Sequence, residues 1–356
     1  MNKYLSIFFI YLTLSGMSAC INDDLSNCPA DTYSYNLVPI DFLSGNLSTL
    51  TATRTNLAGN SWIAGDSIGI YMLADTQANI SINYYANRKY IASANGSSNI
   101  TFNYSTIEQA IYYKGNTPLR FIAYYPYRQF GYDEGTLNDH IYPVNIMNQE
   151  DTSGIDLMYS RNARAHVQTD PPTPVKLQFG HVLSKLRLHV RKKPGADIDI
   201  SGATSIINGV PATAYFQLED SILSHFGTSQ SIAMYGTGTP PPNTLAPNGT
   251  GAYDTTYQAI LIPHAVNGSE IQFTTQDNRL FTWPIPEDYI PTFEAGKLYT
   301  FWLTLEGETV VDYSGYKSSW NDDLEDTNFE TPLIPEDIID MILAHDNGKL
   351  LKEIEK

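Results

Sequence analysis

The stretch "HVLSKLRLHV", residues 181–190, sets Val182, Leu186, Leu188 and Val190 on one side of an extended chain and His181, Lys185, Arg187 and His189 on the other. A period of two puts successive side chains on opposite faces of a strand, so this segment is expected to turn one face to a core and the other to water. "DSIGIYML" repeats the pattern with Ile68, Ile70 and Met72 on one face, and "LRFIAYYPY", "TYQAILIPH", "SEIQFTT" and "KLYTFWLTLEG" have the same short, aromatic and β-branched character. Gly, Pro, Asn, Asp and Ser separate these runs at about the spacing of sandwich strands. The chain is therefore expected to be all-β. The exception is the end, "TPLIPEDIIDMILAHDNGKLLKEIEK", where Pro335, early acidic residues and Ile334, Ile338 and Ile342 at helical spacing predict a short amphipathic helix.

Two proline-rich segments break the strand pattern, "TDPPTPV" at 169–175 and "TGTGTPPPNTLAPNGTG" at 236–251. Proline donates no ladder hydrogen bond and holds the backbone extended, so both read as linkers or long loops. The first opens onto a new strand near the middle of the chain, which places a boundary between domains 31–172 and 173–320. Residues 20–30 form a tether before them and 321–356 an acidic tail after them.

Residues 1–19 have one lysine, an apolar run from Tyr4 to Leu14 and small residues after it, the layout of a secretory signal and too short to span a bilayer. The "MSAC" that closes it resembles the lipobox of bacterial lipoproteins, in which the cysteine, here Cys20, is acylated and anchors the chain to a membrane. Asp23 and Asp24 directly behind it resemble a signal that sends lipoproteins to the outer cell surface. With Cys20 acylated, Cys28 is the single remaining thiol and no disulfide framework is possible. Stability must come from packing. The net charge of −17, with eleven acids against three lysines in 321–356, argues against nucleic acid as a partner.

No catalytic constellation is legible. The seven histidines form no HExxH, and His181 and His189 lie about 25 Å apart by strand rise, too far to share a metal. There is no nucleophile elbow, phosphate loop or CxxC pair. The expectation is a binding or structural protein with no cofactor, no metal and no enzymatic activity.

Several stretches in order, "WIAGDSIGIYM" at 62–72, "FIAYYPY" at 121–127, "DLMYS" at 156–160, "FGHVLSKLRLHV" at 179–190 and "FEAGKLYTFWLTL" at 293–305, resemble the fimbrillin family, the subunits of type V pili. The resemblance implies two transthyretin-like β-sandwich domains in tandem. It also implies export as a lipoprotein to the outer membrane, cleavage after an arginine by an extracellular protease, loss of the first strand, and insertion of a strand from another fimbrial subunit into the vacated groove. Such β-augmentation satisfies the unpaired backbone groups and apolar trough of an incomplete sheet.

In this sequence the arginine is Arg54, the single basic residue between Lys3 and Arg88. The strand before it is "TYSYNLVPIDFL", with Tyr33, Tyr35 and Leu37 on one face and Val38, Ile40 and Phe42 on the other. The register slip and Pro39 predict an edge strand, the kind that can be exchanged. Gly65 and Asp66 are expected to turn the chain before the next strand, with Trp62 packed behind it. The helical, acidic tail departs from the extended donor segment of stalk subunits, so the resemblance points to a tip or accessory subunit with an unidentified host or bacterial surface ligand. A surface carbohydrate-binding lipoprotein, using aromatic rings as stacking platforms, is the alternative from another class.

Overall fold

The computed structural model describes residues 38–45, 61–76, 84–96, 99–129, 140–238, 253–320 and 331–332. They belong to the compact unit Val38–Lys356; a second unit, Met1–Leu37, lies outside the described residues.

The first part of this unit contains β1 (Phe42–Ser44), β2 (Ser67–Ala74), β3 (Tyr85–Ala92), β4 (Thr101–Tyr104), β5 (Leu119–Tyr125), β6 (Ile141–Asn145), a one-turn helix α1 (Thr152–Ile155), β7 (Met158–Ser160), β8 (Val175–Leu177) and β9 (Gly180–His181). All of these strands except β6 form one eight-stranded sheet, ordered β8-β1-β4-β3-β2-β5-β7-β9. Its two edge strands are consecutive in sequence, joined by Gln178 and Phe179 alone, so the sheet must roll until its edges approach each other. Inside the roll lie Phe42, Trp62, Ile68, Ile70, Met72, Phe102 and Phe121, none more than 1% exposed. Trp62 packs edge-on against Phe102, Tyr125 and Phe179, with centroids 5.0–5.5 Å apart. The turn before β2 is the expected one: Gly65 has φ +100°, and the Asp66 carboxylate accepts from the Ile63 N–H at 2.8 Å.

β2 is buried on both sides. Ile68, Ile70 and Met72 face the roll, whereas Tyr71 and Leu73 join a second core. That explains why β2 and β5 read as nearly continuous apolar runs. The outer side of these strands is covered by a three-stranded sheet in which β6 pairs with β12 (Thr213–Gln217), itself paired with β13 (Ile222–Ser224). Tyr142 of β6 meets Tyr124 at 5.5 Å, and Phe216 of β12 meets Tyr159 at 5.1 Å.

The remaining strands are β10 (Ser184–Lys192), β11 (Thr204–Pro211), β14 (Ser229–Ala233), β15 (Tyr235–Gly238), β16 (Thr255–Leu261), β17 (His264–Ala265), β18 (Glu270–Thr274), β19 (Leu280–Pro284), β20 (Thr292–Phe293), β21 (Lys297–Glu306), β22 (Thr309–Ser319) and β23 (Thr331–Pro332). A six-stranded sheet, β15-β16-β10-β21-β22-β23, packs on a four-stranded one, β14-β11-β18-β19. Leu186, Leu188, Val190, Phe301 and Leu303 from the first meet Ile207, Ile271, Phe281 and Trp283 from the second, with Trp283 and Phe301 edge-on at 5.0 Å. The expected all-β fold of stacked sheets in tandem holds; the expected C-terminal helix lies outside the described residues.

Two features differ from expectation. Strands β8 and β9 follow the proline-rich segment 169–175 yet complete the first sheet, and β6 leaves that sheet to pair with β12, so sheet membership changes near Leu183 rather than at 173. Secondly, the polar side of "HVLSKLRLHV" is mostly buried, with Arg187 in part exposed. The strand is broken at Val182 and Leu183, and His181, Lys185 and His189 are 5–6% exposed. Aromatic rings lie against them: His181 on Trp320 and His189 on Trp302.

Candidate functional site

The segment Val38–Gly45, which carries β1, is held on both sides. Toward β4 it runs antiparallel, with Phe42 opposite Phe102 and Leu43 opposite Thr101. The Ser44 N–H donates to Ile100 O at 2.9 Å, and the Ile40 N–H donates to Ile111 O at 2.8 Å. Pro39 bridges Tyr112 in the same direction. Toward β8 the pairing is parallel, with Phe42, Leu43 and Ser44 opposite Val175, Lys176 and Leu177. There the Val175 N–H donates to Asp41 O and the Gly45 N–H to Leu177 O, both at 2.8 Å.

Alternation sends Val38, Ile40 and Phe42 to the inside of the roll. Ile40 is 2% exposed and Phe42 not at all. The Phe42 ring lies edge-on to Tyr90 at 5.1 Å and to Phe121 at 5.2 Å. Full burial of two such side chains contributes roughly 1.5–3 kcal/mol each. Two of the polar groups around them are paired. The Tyr90 hydroxyl accepts from the Ile111 N–H at 2.9 Å, and the Ser44 hydroxyl accepts from the Ile100 N–H at 2.8 Å. Burial pushes the Tyr90 hydroxyl well above the ordinary tyrosine range, and burial with the nearby Asp41 carboxylate raises that of Tyr113. The slot is apolar and aromatic, with ladder hydrogen bonds on either side.

Of the residues singled out in the sequence, Val38, Ile40 and Phe42 come together in this slot, whereas Cys20, Tyr33, Tyr35, Leu37 and Arg54 lie outside the described residues. The expected edge position does not hold for β1. It is interior, because β8 returns from beyond the proline-rich segment to cover its second side. The sequence reading did not assign Val175 and Leu177, or Ile111 and Tyr113, to this site. The alternation Val175, Leu177, Phe179 directly after Pro174 marks a strand, but nothing local names its partner. Among the described residues no three His, Cys, Asp or Glu side chains are grouped to hold a metal, and no helix is long and apolar enough to cross a membrane.

The fold and slot define a class: an all-β protein of stacked sheets in which the first strand among the described residues is seated through contacts remote in sequence. The model of the fimbrillin-like family matches residues 53–320, and the chain belongs to that family. A protein of Bacteroides uniformis provisionally named fimbrium subunit Fim1C is 28% identical over 277 residues, covering 75% of this chain and 81% of that protein. A crystal structure from Bacteroides uniformis, provisionally described as a cell adhesion protein, has a TM-score of 0.61 at 23% identity, covering 81% of this chain and 99% of that one. A second such structure, from Bacteroides ovatus, has a TM-score of 0.56 at 18% identity over 80% and 98% of the two chains. These likenesses establish the same fold.

Proposed function

We propose that the chain is a cell-surface fimbrial subunit, in a tip or accessory position, exported as a lipoprotein through Cys20 and readied for assembly by a cut after Arg54. The cut separates the segment that ends at Gly45 from the rest of the chain, and a strand from another subunit takes its place. The observation that carries this reading is the seat of β1: every pairing partner of Val38–Gly45, from 99–113 and from 175–177, lies on the carboxyl side of Arg54. Loss of the segment would leave two strands with unpaired backbone groups and an apolar slot between them, the condition for β-augmentation. Kinship with Fim1C supports the fimbrial assignment.

Mild digestion with a trypsin-type protease tests it. The expected product is a folded body beginning at Thr55, which takes up a labelled peptide spanning residues 33–45 where the uncut chain does not. An Arg54→Ala chain should resist trimming. A body that unfolds on trimming, cutting elsewhere with Arg54 intact, or no peptide uptake would sink the proposal. Glycan binding by the uncut monomer with no assembly after cleavage would favour a carbohydrate-binding lipoprotein instead.

A further inference from the structure

The slot around β1 treats successive positions of its strand differently. Ile40 and Phe42 are buried, whereas Asp41 between them is exposed. The Phe42 ring meets Tyr90 and Phe121 with planes 79° and 78° apart, the edge-to-face arrangement in which a positive ring rim faces a negative ring surface. An aliphatic side chain fills much of the same volume without that attraction. Asp41 reaches β8 through its backbone, its carbonyl accepting from the Val175 N–H at 2.8 Å. Every residue offers that carbonyl, so this position is read for conformation and not for side chain.

The carboxyl end of the strand is read more narrowly. Ser44 is 2% exposed, and the successive amides of Asn99 and Ile100 are both aimed at it. The Asn99 N–H donates to the Ser44 carbonyl at 3.1 Å and the Ile100 N–H to the Ser44 hydroxyl at 2.8 Å. Asn99 holds φ +52°, the left-handed conformation that asparagine tolerates better than most residues, so this corner is shaped to present both donors. At Gly45, also buried, an added Cβ would stand 2.9 Å from Gln178 Cγ and 3.4 Å from the Leu177 carbonyl oxygen that accepts from the Gly45 N–H. A side chain there has to displace β8 or swing Gln178 away.

We propose that the slot selects by sequence the strand that replaces β1: an aliphatic residue at the place of Ile40, an aromatic ring at that of Phe42, serine at that of Ser44 and glycine at that of Gly45, with the place of Asp41 free to vary. This rests on the strand exchange proposed above and specifies the partner's chemistry, an extended segment of pattern aliphatic-x-aromatic-x-Ser-Gly running antiparallel to β4 and parallel to β8. Subunits whose donor segments lack the pattern are excluded, so the slot decides which one joins.

Competition tests it. The full chain is nicked after Arg54 with its own first strand left in place, then incubated with a labelled peptide spanning residues 33–45 and with unlabelled variants of that peptide. Asp41→Asn should compete within about twofold of the unaltered peptide. Phe42→Leu should need about fivefold more peptide, through loss of the edge-to-face contacts. Ser44→Ala should need about tenfold more, because the Ile100 N–H loses its acceptor, and Gly45→Val about tenfold more through overpacking. Equal competition by all the peptides overturns the selection and leaves strand exchange standing; no uptake of the unaltered peptide overturns both. In the uncut chain Ser44→Ala and Gly45→Val should lower the urea midpoint and Asp41→Asn should not, which reads the same positions should the nicked chain come apart. Equal midpoints for the three would overturn the proposal.

Discussion

The imidazole of His181 lies flat on the indole of Trp320, with centroids 4.1 Å apart and planes 5° from parallel. Its Nδ1 is 2.7 Å from the Asp156 carboxylate, and the two side chains are 0% and 6% exposed. His181 closes the rolled sheet and Trp320 follows the last long strand of the six-stranded sheet, so this stack fastens one sheet to the other, while the Asp156 carboxylate holds the imidazole in place from within the rolled sheet. Asp156→Ala should leave a buried imidazole nitrogen without its acceptor and cost about 1–3 kcal/mol. Urea denaturation measures the loss; a midpoint equal to that of the parent chain would show that the pair holds nothing.

Phe42→Ala should destabilise the uncut chain by about 3–5 kcal/mol, because it empties a fully buried site between two edge-on rings. Phe42→Leu keeps most of the volume and should lose less than half as much. Equal losses for the two would mean that ring geometry, rather than volume, governs the slot.

Acid should weaken the fold through two histidines. His264 and His166 are both held below the ordinary histidine range, chiefly by burial that disfavours the imidazolium. Above about pH 6.5 both are neutral, folded or unfolded, and their contribution is complete. As pH falls below that value the unfolded chain takes up protons first, and the contribution is lost as pH descends through the depressed folded values. The thermal midpoint should therefore fall between pH 7 and pH 5, and less steeply in a chain with both His166→Gln and His264→Gln. An unchanged slope would remove these residues from the account.

Alkali acts through the tyrosines. Burial pushes Tyr142, Tyr159, Tyr253 and Tyr299 up to about 12. Folding keeps these hydroxyls protonated, so their contribution is complete below about pH 10 and is lost as pH rises toward 12. Ultraviolet titration should show a group of tyrosines ionising late in the folded chain, and at the ordinary value in urea. A single tyrosine transition in the folded chain would refute this.

The fold class was legible because alternation is a local property: Ile68, Ile70 and Met72 share a face whatever lies opposite them. The turn at Gly65 and Asp66 is local for the same reason, whereas the rings that surround Trp62 come from distant segments. What could not be read was pairing over long separations. Pro39 and the slip beside it carry the mark of an edge strand, yet Val175–Leu177 closes that edge from more than a hundred residues away. The polar side of β10 misled similarly. Lys185 and His189 are chemically suited to water, and only the folded chain brings Trp320 and Trp302 against them.

The parallel pairing of β1 with β8 also fixes an order of events. A chain emerging from its amino end presents Phe42 long before Val175, so β1 cannot be paired on both sides until the proline-rich segment has been made and β8 has turned back. Until then the backbone groups on that side of β1 have no ladder partner, and pairing across so long a separation is of the kind that slows folding.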